Sequence, residues 1–81
     1  MLFRSLQMHA LAVAEAGNLL LMPPRAKDGA GWANGANAMT RAGAAAATAA
    51  RAHDVEALLR AGADLYSSCT ACHRTYLPAE P

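Results

Sequence analysis

Hydrophobic and polar positions follow a helical period in the first stretch of the chain. From residue 2 to about 21, apolar residues share one side of the predicted helix and polar residues share the opposite side. The apolar side consists of Leu2, Leu6, Val13, Gly17 and Leu20, and the polar side of Arg4, Gln7, Glu15 and Asn18. Pro23 and Pro24 end this helix, because proline lacks a backbone donor and clashes with the preceding turn.

Two further helices are predicted downstream. One runs from about residue 30 to 52 and includes the alanine-rich run Ala42–Ala50, a strong helix former. The other runs from 54 to 77, where Asp54 can cap the first turn and Pro78 ends the helix. Short polar connections predict antiparallel neighbours. The sequence therefore predicts an all-α fold in which residues 1–81 form a single antiparallel helical bundle of three helices.

Composition limits what this bundle can bury and bind. Hydrophobic residues make up 54% of the chain, but alanine supplies much of that and aromatic residues only 5%, so we expect a shallow core. A domain this small usually needs an additional stabilising element, such as a covalently held cofactor. The seven lysines and arginines form no cluster and the net charge is +1, which argues against a nucleic-acid partner.

The sequence CTACH at residues 69–73 carries the most specific chemistry in the chain. Its spacing is the attachment signature of a c-type haem, in which Cys69 and Cys72 add to vinyl groups and His73 binds the iron. On a helix all three side chains leave from one face. A dithiol redox motif and half of a zinc site compete, but no strand precedes the motif and only His9 and His53 remain as further histidines. We favour one haem c.

Other residues are candidates for contacting the distal side of the haem or its propionates: His9, Arg25, Met39 and Tyr76. His9 falls on the apolar side of the first helix, where a hydrogen-bonded core-edge histidine is the favoured alternative to a ligand. Arg25 and Lys27 could neutralise propionates or could be solvated loop charges. Met39 could bind iron or fill the core. Trp32 is expected to be a core anchor rather than a redox partner.

The segment Ala42–Tyr76 resembles the class II c-type cytochromes, the cytochrome c prime-like family. An alanine-rich helix, a turn ending at Asp54 and the closing C-x-x-C-H-x-x-Y of Cys69, Cys72, His73 and Tyr76 carry the resemblance. It implies a four-helix bundle with haem on the last helix, of which this chain lacks the first helix. Leu77 stands where the family often has a basic residue. The missing helix faces the distal side, so the resemblance assigns no sixth iron ligand.

Two functions follow from the haem motif. The first is a periplasmic one-electron carrier that meets redox partner proteins and sets its potential through axial ligation and burial. The alternative is a five-coordinate haem that binds nitric oxide or carbon monoxide at an open distal site. They differ in whether a strong ligand lies opposite His73, and the internal options are Met8, Met22, Met39 and His9. No enzymatic turnover is predicted, because nothing beyond the motif forms a nucleophile or an acid–base pair.

The expected periplasmic location requires an export signal, but the N-terminal stretch does not have the pattern of one. Haem attachment by this motif takes place outside the bacterial cytoplasm, so we expect a periplasmic protein. Polar residues interrupt the stretch Met1–Met22, which is therefore predicted to be neither an export signal nor a membrane span. We interpret the chain as incomplete or as begun at an internal start. The missing helix also implies an exposed apolar face, which would favour a homodimer or mark a truncated product.

Overall fold

A computed structural model of the chain describes residues 2–23, 26–27 and 29–76. Within those ranges the backbone forms three helices and no strand: α1 (Leu2–Leu19), α2 (Ala30–Arg51) and α3 (Val55–Tyr76). This confirms the predicted all-α helical bundle. None of these helices is long and apolar enough to cross a membrane.

The helix ends follow local hydrogen bonding. α1 ends two residues earlier than predicted, because the hydrogen bonding changes there from the α to the 3₁₀ pattern. The amides of Leu21 and Met22 donate to the carbonyls three residues before them, both at 3.1 Å. α3 begins as predicted after Asp54, whose Oδ1 accepts a hydrogen bond from the Ala57 amide at 3.0 Å. The predicted N-cap of α3 is therefore confirmed.

A left-handed residue reverses the chain between α2 and α3. His53 has a φ of 56°, and the amides of His53 and Asp54 donate to carbonyls near the end of α2 at 3.1 and 2.9 Å. The imidazole of His53 stacks on the ring of Phe3, with ring centroids 4.4 Å apart. The start of α1 is thereby held against the turn that leads into α3.

α2 is the central helix and packs against both α1 and α3. Residues later in α1 contact residues earlier in α2: Ala14 lies against Gly43, whereas Gly17 lies against Thr40. The same reversal holds between α2 and α3, where Gly31 lies against the Tyr76 hydroxyl and Gly35 lies near Cys72. Both pairs of neighbouring helices are therefore antiparallel.

Small residues form the core of this bundle. Among the residues that the structure describes, the buried apolar ones are all alanines: Ala10, Ala14, Ala36, Ala42, Ala46, Ala47, Ala49, Ala50 and Ala61. The buried face predicted for α1 is therefore largely wrong, since Leu2 and Leu6 are 68% and 36% exposed and only Gly17 of that set is buried. The cause is close backbone approach: a Cβ on Gly43 would lie 2.8 Å from the Ala14 amide nitrogen. Helices this close accept alanine and glycine at their contact, not leucine.

Candidate functional site

The haem motif lies on the last two turns of α3. Cys69 and Cys72 are half-buried free thiols, and the His73 side chain is exposed. Their i, i+3 and i+4 positions within a continuous helix place the three side chains along one side of α3. The thiols are accessible to a reagent of moderate size, and the imidazole is accessible to a metal ion.

Cys72 and His73 line a cavity of about 290 Å³ between the start of α2, the end of α3 and the segment that connects α1 to α2. Its other walls come from the turn after α1, from the start of α2 and from the end of α3: Leu20, Lys27, Trp32 and Tyr76. Two of these walls, a leucine and an indole, are apolar, and Lys27 supplies a cation. We call this space the Trp32 cavity.

Trp32 fixes the shape of this cavity. Its indole nitrogen donates a 2.6 Å hydrogen bond to the carbonyl of Leu20, which joins α2 to the turn after α1. Its ring meets that of Tyr76 edge to face, with centroids 5.0 Å apart and an interplanar angle of 82°. The half-buried indole thus joins the start of α2 to the turn after α1 and to the end of α3, although it lies outside the alanine core in which it was expected.

Gly35 leaves room on the other side of Cys72. A Cβ on Gly35 would lie 3.8 Å from the Cys72 sulfur, and Gly35 and Cys72 both line a second cavity of about 300 Å³ between α2 and α3. Sequence reasoning did not assign Gly35 or Leu20 to the site. The pairing of α2 with α3, which brings Gly35 beside Cys72, is a tertiary property that the sequence pattern does not contain.

Tyr76 and Lys27 are the further candidates that the structure brings beside the motif, since both line the Trp32 cavity. His9 is placed elsewhere: it is exposed, its Nδ1 lies 2.9 Å from the backbone oxygen of Ser5, and it precedes Leu20 by about 16 Å of helix at 1.5 Å per residue. The hydrogen bond agrees with the favoured alternative for His9, but its exposure does not fit a core-edge position.

The other described candidates for the sixth ligand, three methionines, do not line the Trp32 cavity. Met39 is half-buried in α2 and does not line the Trp32 cavity. Met8 is 65% exposed and lies near His9, at the opposite end of α1 from the motif. Met22 is 52% exposed and lies in the turn two residues after Leu20. Arg25 lies outside the described residues.

The donor set of the motif has the chemistry that a c-type haem needs: two thiols that could bond to porphyrin carbons and one imidazole that could bind iron. Over the described ranges, no three His, Cys, Asp or Glu side chains are grouped to hold a metal ion. At about 290 Å³ the Trp32 cavity is just below the usual size of ligand pockets, and Cys69 is not among its lining residues, so it could enclose no more than an edge of a haem.

Comparison with protein-family models, curated proteins and solved structures found no match to this chain. The resemblance to the class II c-type cytochromes therefore stays a prediction. The motif at residues 69–73 and the cavity beside it are the features of this chain that bear on its function.

Proposed function

We propose that the chain is a c-type cytochrome with one covalently attached haem that carries single electrons. In each attachment a cysteine S–H adds across a vinyl double bond: the sulfur bonds to one carbon and the hydrogen goes to the other. Cys69 and Cys72 form the two thioether bonds, and His73 is the proximal nitrogen ligand. Bound haem supplies an iron that gains and loses one electron.

One observation carries this proposal: Cys72 and His73 share a largely apolar cavity with Trp32 at the start of α2 and Leu20 after α1. Leu20 and Trp32 form walls that exclude water from an enclosed haem edge, and burial of the iron is one of the protein's means of setting its potential. Lys27 provides a cation for a propionate. Because attachment by this motif takes place outside the bacterial cytoplasm, the proposal includes a periplasmic location.

A second candidate function is binding of nitric oxide or carbon monoxide. Among the residues that the structure describes around the Trp32 cavity there is no methionine, and His73 is the sole histidine. An iron bound only by His73 would keep its other axial position open. Met22 is the methionine nearest the cavity along the chain, and its thioether would have to come from the turn after Leu20 to close that position.

The optical spectrum distinguishes these functions. The protein is produced with export and haem-attachment machinery, reduced, and exposed to carbon monoxide. An electron carrier with two strong ligands keeps a low-spin spectrum that the gas does not change. A high-spin spectrum that shifts on exposure selects the gas-binding function, and a protein without haem contradicts both.

Substitution of Met22 tests the internal ligand in the same assay. If Met22 supplies the sixth ligand, Met22→Leu is expected to give a spectrum that responds to carbon monoxide, because the iron would lose its thioether. Met8→Leu is the control, since Met8 is also an exposed methionine, at 65% against 52% for Met22, but lies in the first half of α1. Equal spectra for both variants and the unaltered protein would exclude Met22 as the sixth ligand.

A further inference from the structure

The start of α2 contains the one Asn–Gly pair of the chain, Asn34 followed by Gly35. Asn34 is exposed and lines the cavity of about 300 Å³ between α2 and α3 that Cys72 also lines. The other asparagines, Asn18 and Asn37, precede residues that have a side chain. Because glycine has no Cβ, the backbone nitrogen of Gly35 is unshielded and its backbone moves more freely than that of other residues. This pair is therefore the place in the chain where an asparagine side chain can react with the backbone that follows it.

The first turns of α2 have few of the features that keep a helix start closed. Gly29 precedes the helix with a φ of 90° and makes no side-chain hydrogen bond to the first turn, which also contains no acidic residue. Gly31 and Gly35 each make local opening about fivefold easier than alanine would. The indole of Trp32 opposes opening through its hydrogen bond to the Leu20 carbonyl. Opening of this end is therefore easier than opening of the middle of α2, but it works against one anchor.

We propose that Asn34 is a site of spontaneous deamidation, which takes place when the start of α2 opens. In the closed helix the Gly35 amide donates to the carbonyl four residues earlier, so its nitrogen does not reach the Asn34 side chain. In the open state that nitrogen attacks the side-chain carbonyl carbon. A C–N bond forms, the side-chain amide group leaves as ammonia with the proton of the Gly35 amide, and a cyclic succinimide remains. Water then opens the ring at either carbonyl and leaves an aspartyl or an isoaspartyl residue.

The products change the end of the molecule that holds the Trp32 cavity. Both products place a carboxylate in the cavity that Asn34 lines, in the first half of α2, where an anion interacts favourably with the helix dipole. The isoaspartyl product also adds a carbon to the backbone two residues after Trp32, which breaks the register of the helix hydrogen bonds there. The contacts of Trp32 with Leu20 and Tyr76 are therefore expected to loosen. The reaction uses none of residues 69–73, so it is independent of the haem proposal.

Peptide mass spectrometry of the full chain tests the site, after incubation at neutral pH in water enriched in heavy oxygen and digestion in ordinary water. Asn34 is expected to lose ammonia and take up one heavy oxygen atom, while Asn18 and Asn37 stay unchanged. Gly35→Ala is expected to slow the reaction at least about fivefold, because alanine disfavours opening and shields the nitrogen. The added Cβ fits the folded chain, since it would lie 3.8 Å from the Cys72 sulfur. Deamidation of Asn34 no faster than that of Asn37 would overturn the proposal.

The dependence on local opening has its own measurement in the same assay. Trp32→Phe is expected to speed deamidation of Asn34 about fivefold, because the hydrogen bond that holds the start of α2 is lost. Tyr66→Phe is the control, since Tyr66 is an aromatic residue that is 74% exposed on α3, and it is expected to leave the rate unchanged. Unfolding in urea is expected to speed the reaction further, because every molecule is then open. A folded chain that reacts as fast as the unfolded one would overturn the role of opening.

Discussion

Individual contacts around Trp32 determine whether the motif faces a cavity. The indole nitrogen reaches the Leu20 carbonyl across the α1–α2 connection, and the ring packs on Tyr76 from α3. Removing the donor leaves a partly buried carbonyl without its partner, which costs more than the net value of an average hydrogen bond. Trp32 thus links the fold to the site through a single side chain.

We predict that Trp32→Phe lowers the free energy of unfolding by about 1–2 kcal/mol, from the lost hydrogen bond and the smaller ring. Urea unfolding followed by circular dichroism measures it. Tyr76→Phe is the control, because it keeps the edge-to-face contact and removes only a hydroxyl. A Trp32→Phe variant as stable as the unaltered chain would show that the indole is not an anchor.

The thiols and the imidazole are predicted to have separable roles. His73→Ala is expected to keep haem bound through acid-acetone extraction but to change its spectrum, since the thioether bonds remain while the iron ligand is lost. The double variant Cys69→Ala/Cys72→Ala is expected to release any haem into the acetone. Haem that stays with the double variant would disprove covalent attachment.

At the scale of the elements, glycines set how closely α1 and α2 approach. A Cβ on Gly43 would lie 2.8 Å from the Ala14 nitrogen and 3.1 Å from the Ala10 oxygen, both backbone atoms that cannot rotate away. Gly62 in α3 is the opposite case, with no atom within 4 Å of its Cβ position. The close α1–α2 contact therefore requires glycine at position 43, whereas no neighbouring helix requires it at position 62.

We predict opposite effects from the same substitution at these two positions. Gly43→Ala is expected to destabilise the fold by about 1–2 kcal/mol, because overpacking outweighs the better helix propensity of alanine. Gly62→Ala is expected to stabilise it by up to about 1 kcal/mol, since propensity acts alone there. Urea unfolding measures the free energy of unfolding of both variants. Destabilisation of equal size in the two would contradict the close α1–α2 contact.

Helix positions could be predicted from the sequence because their signals are local. Pro23 and the Asp54 cap act on neighbouring residues, and both ends fall near the expected places. The buried face of α1 could not be predicted, because large apolar residues such as Leu2 dominate a periodicity argument while the actual contact is made by alanines and glycines. The same limit applies to the site: spacing identified Cys72 and His73, but only helix pairing places Leu20 beside them.

The whole molecule has little apolar area to bury. In the described part of the chain the buried apolar residues are alanines, while large apolar side chains on α1, on α3 and in the turn after α1 are exposed, among them Leu2, Met8, Leu11, Met22, Leu59 and Tyr66. Alanine contributes little burial per residue, so helix packing alone gives a weak core. A covalently attached group packed against Trp32 and Leu20 would add apolar contacts that the chain itself lacks.

We therefore predict that the haem-bearing protein unfolds at a higher temperature, and with a sharper transition, than Cys69→Ala/Cys72→Ala produced in the same way. The attached haem buries apolar surface in the folded state and joins two points of α3. Thermal unfolding by circular dichroism compares the two. Identical transitions would mean that the group at the motif is not packed against the bundle.

The mass of the intact chain under denaturing conditions tests covalent haem attachment most directly. The protein is produced with export and haem-attachment machinery and is then unfolded, so that any group held only by packing or ligation is lost. If the haem is attached through two thioether bonds, the chain is heavier by one haem and neither Cys69 nor Cys72 reacts with an alkylating reagent. A chain of unmodified mass with two reactive thiols would contradict it.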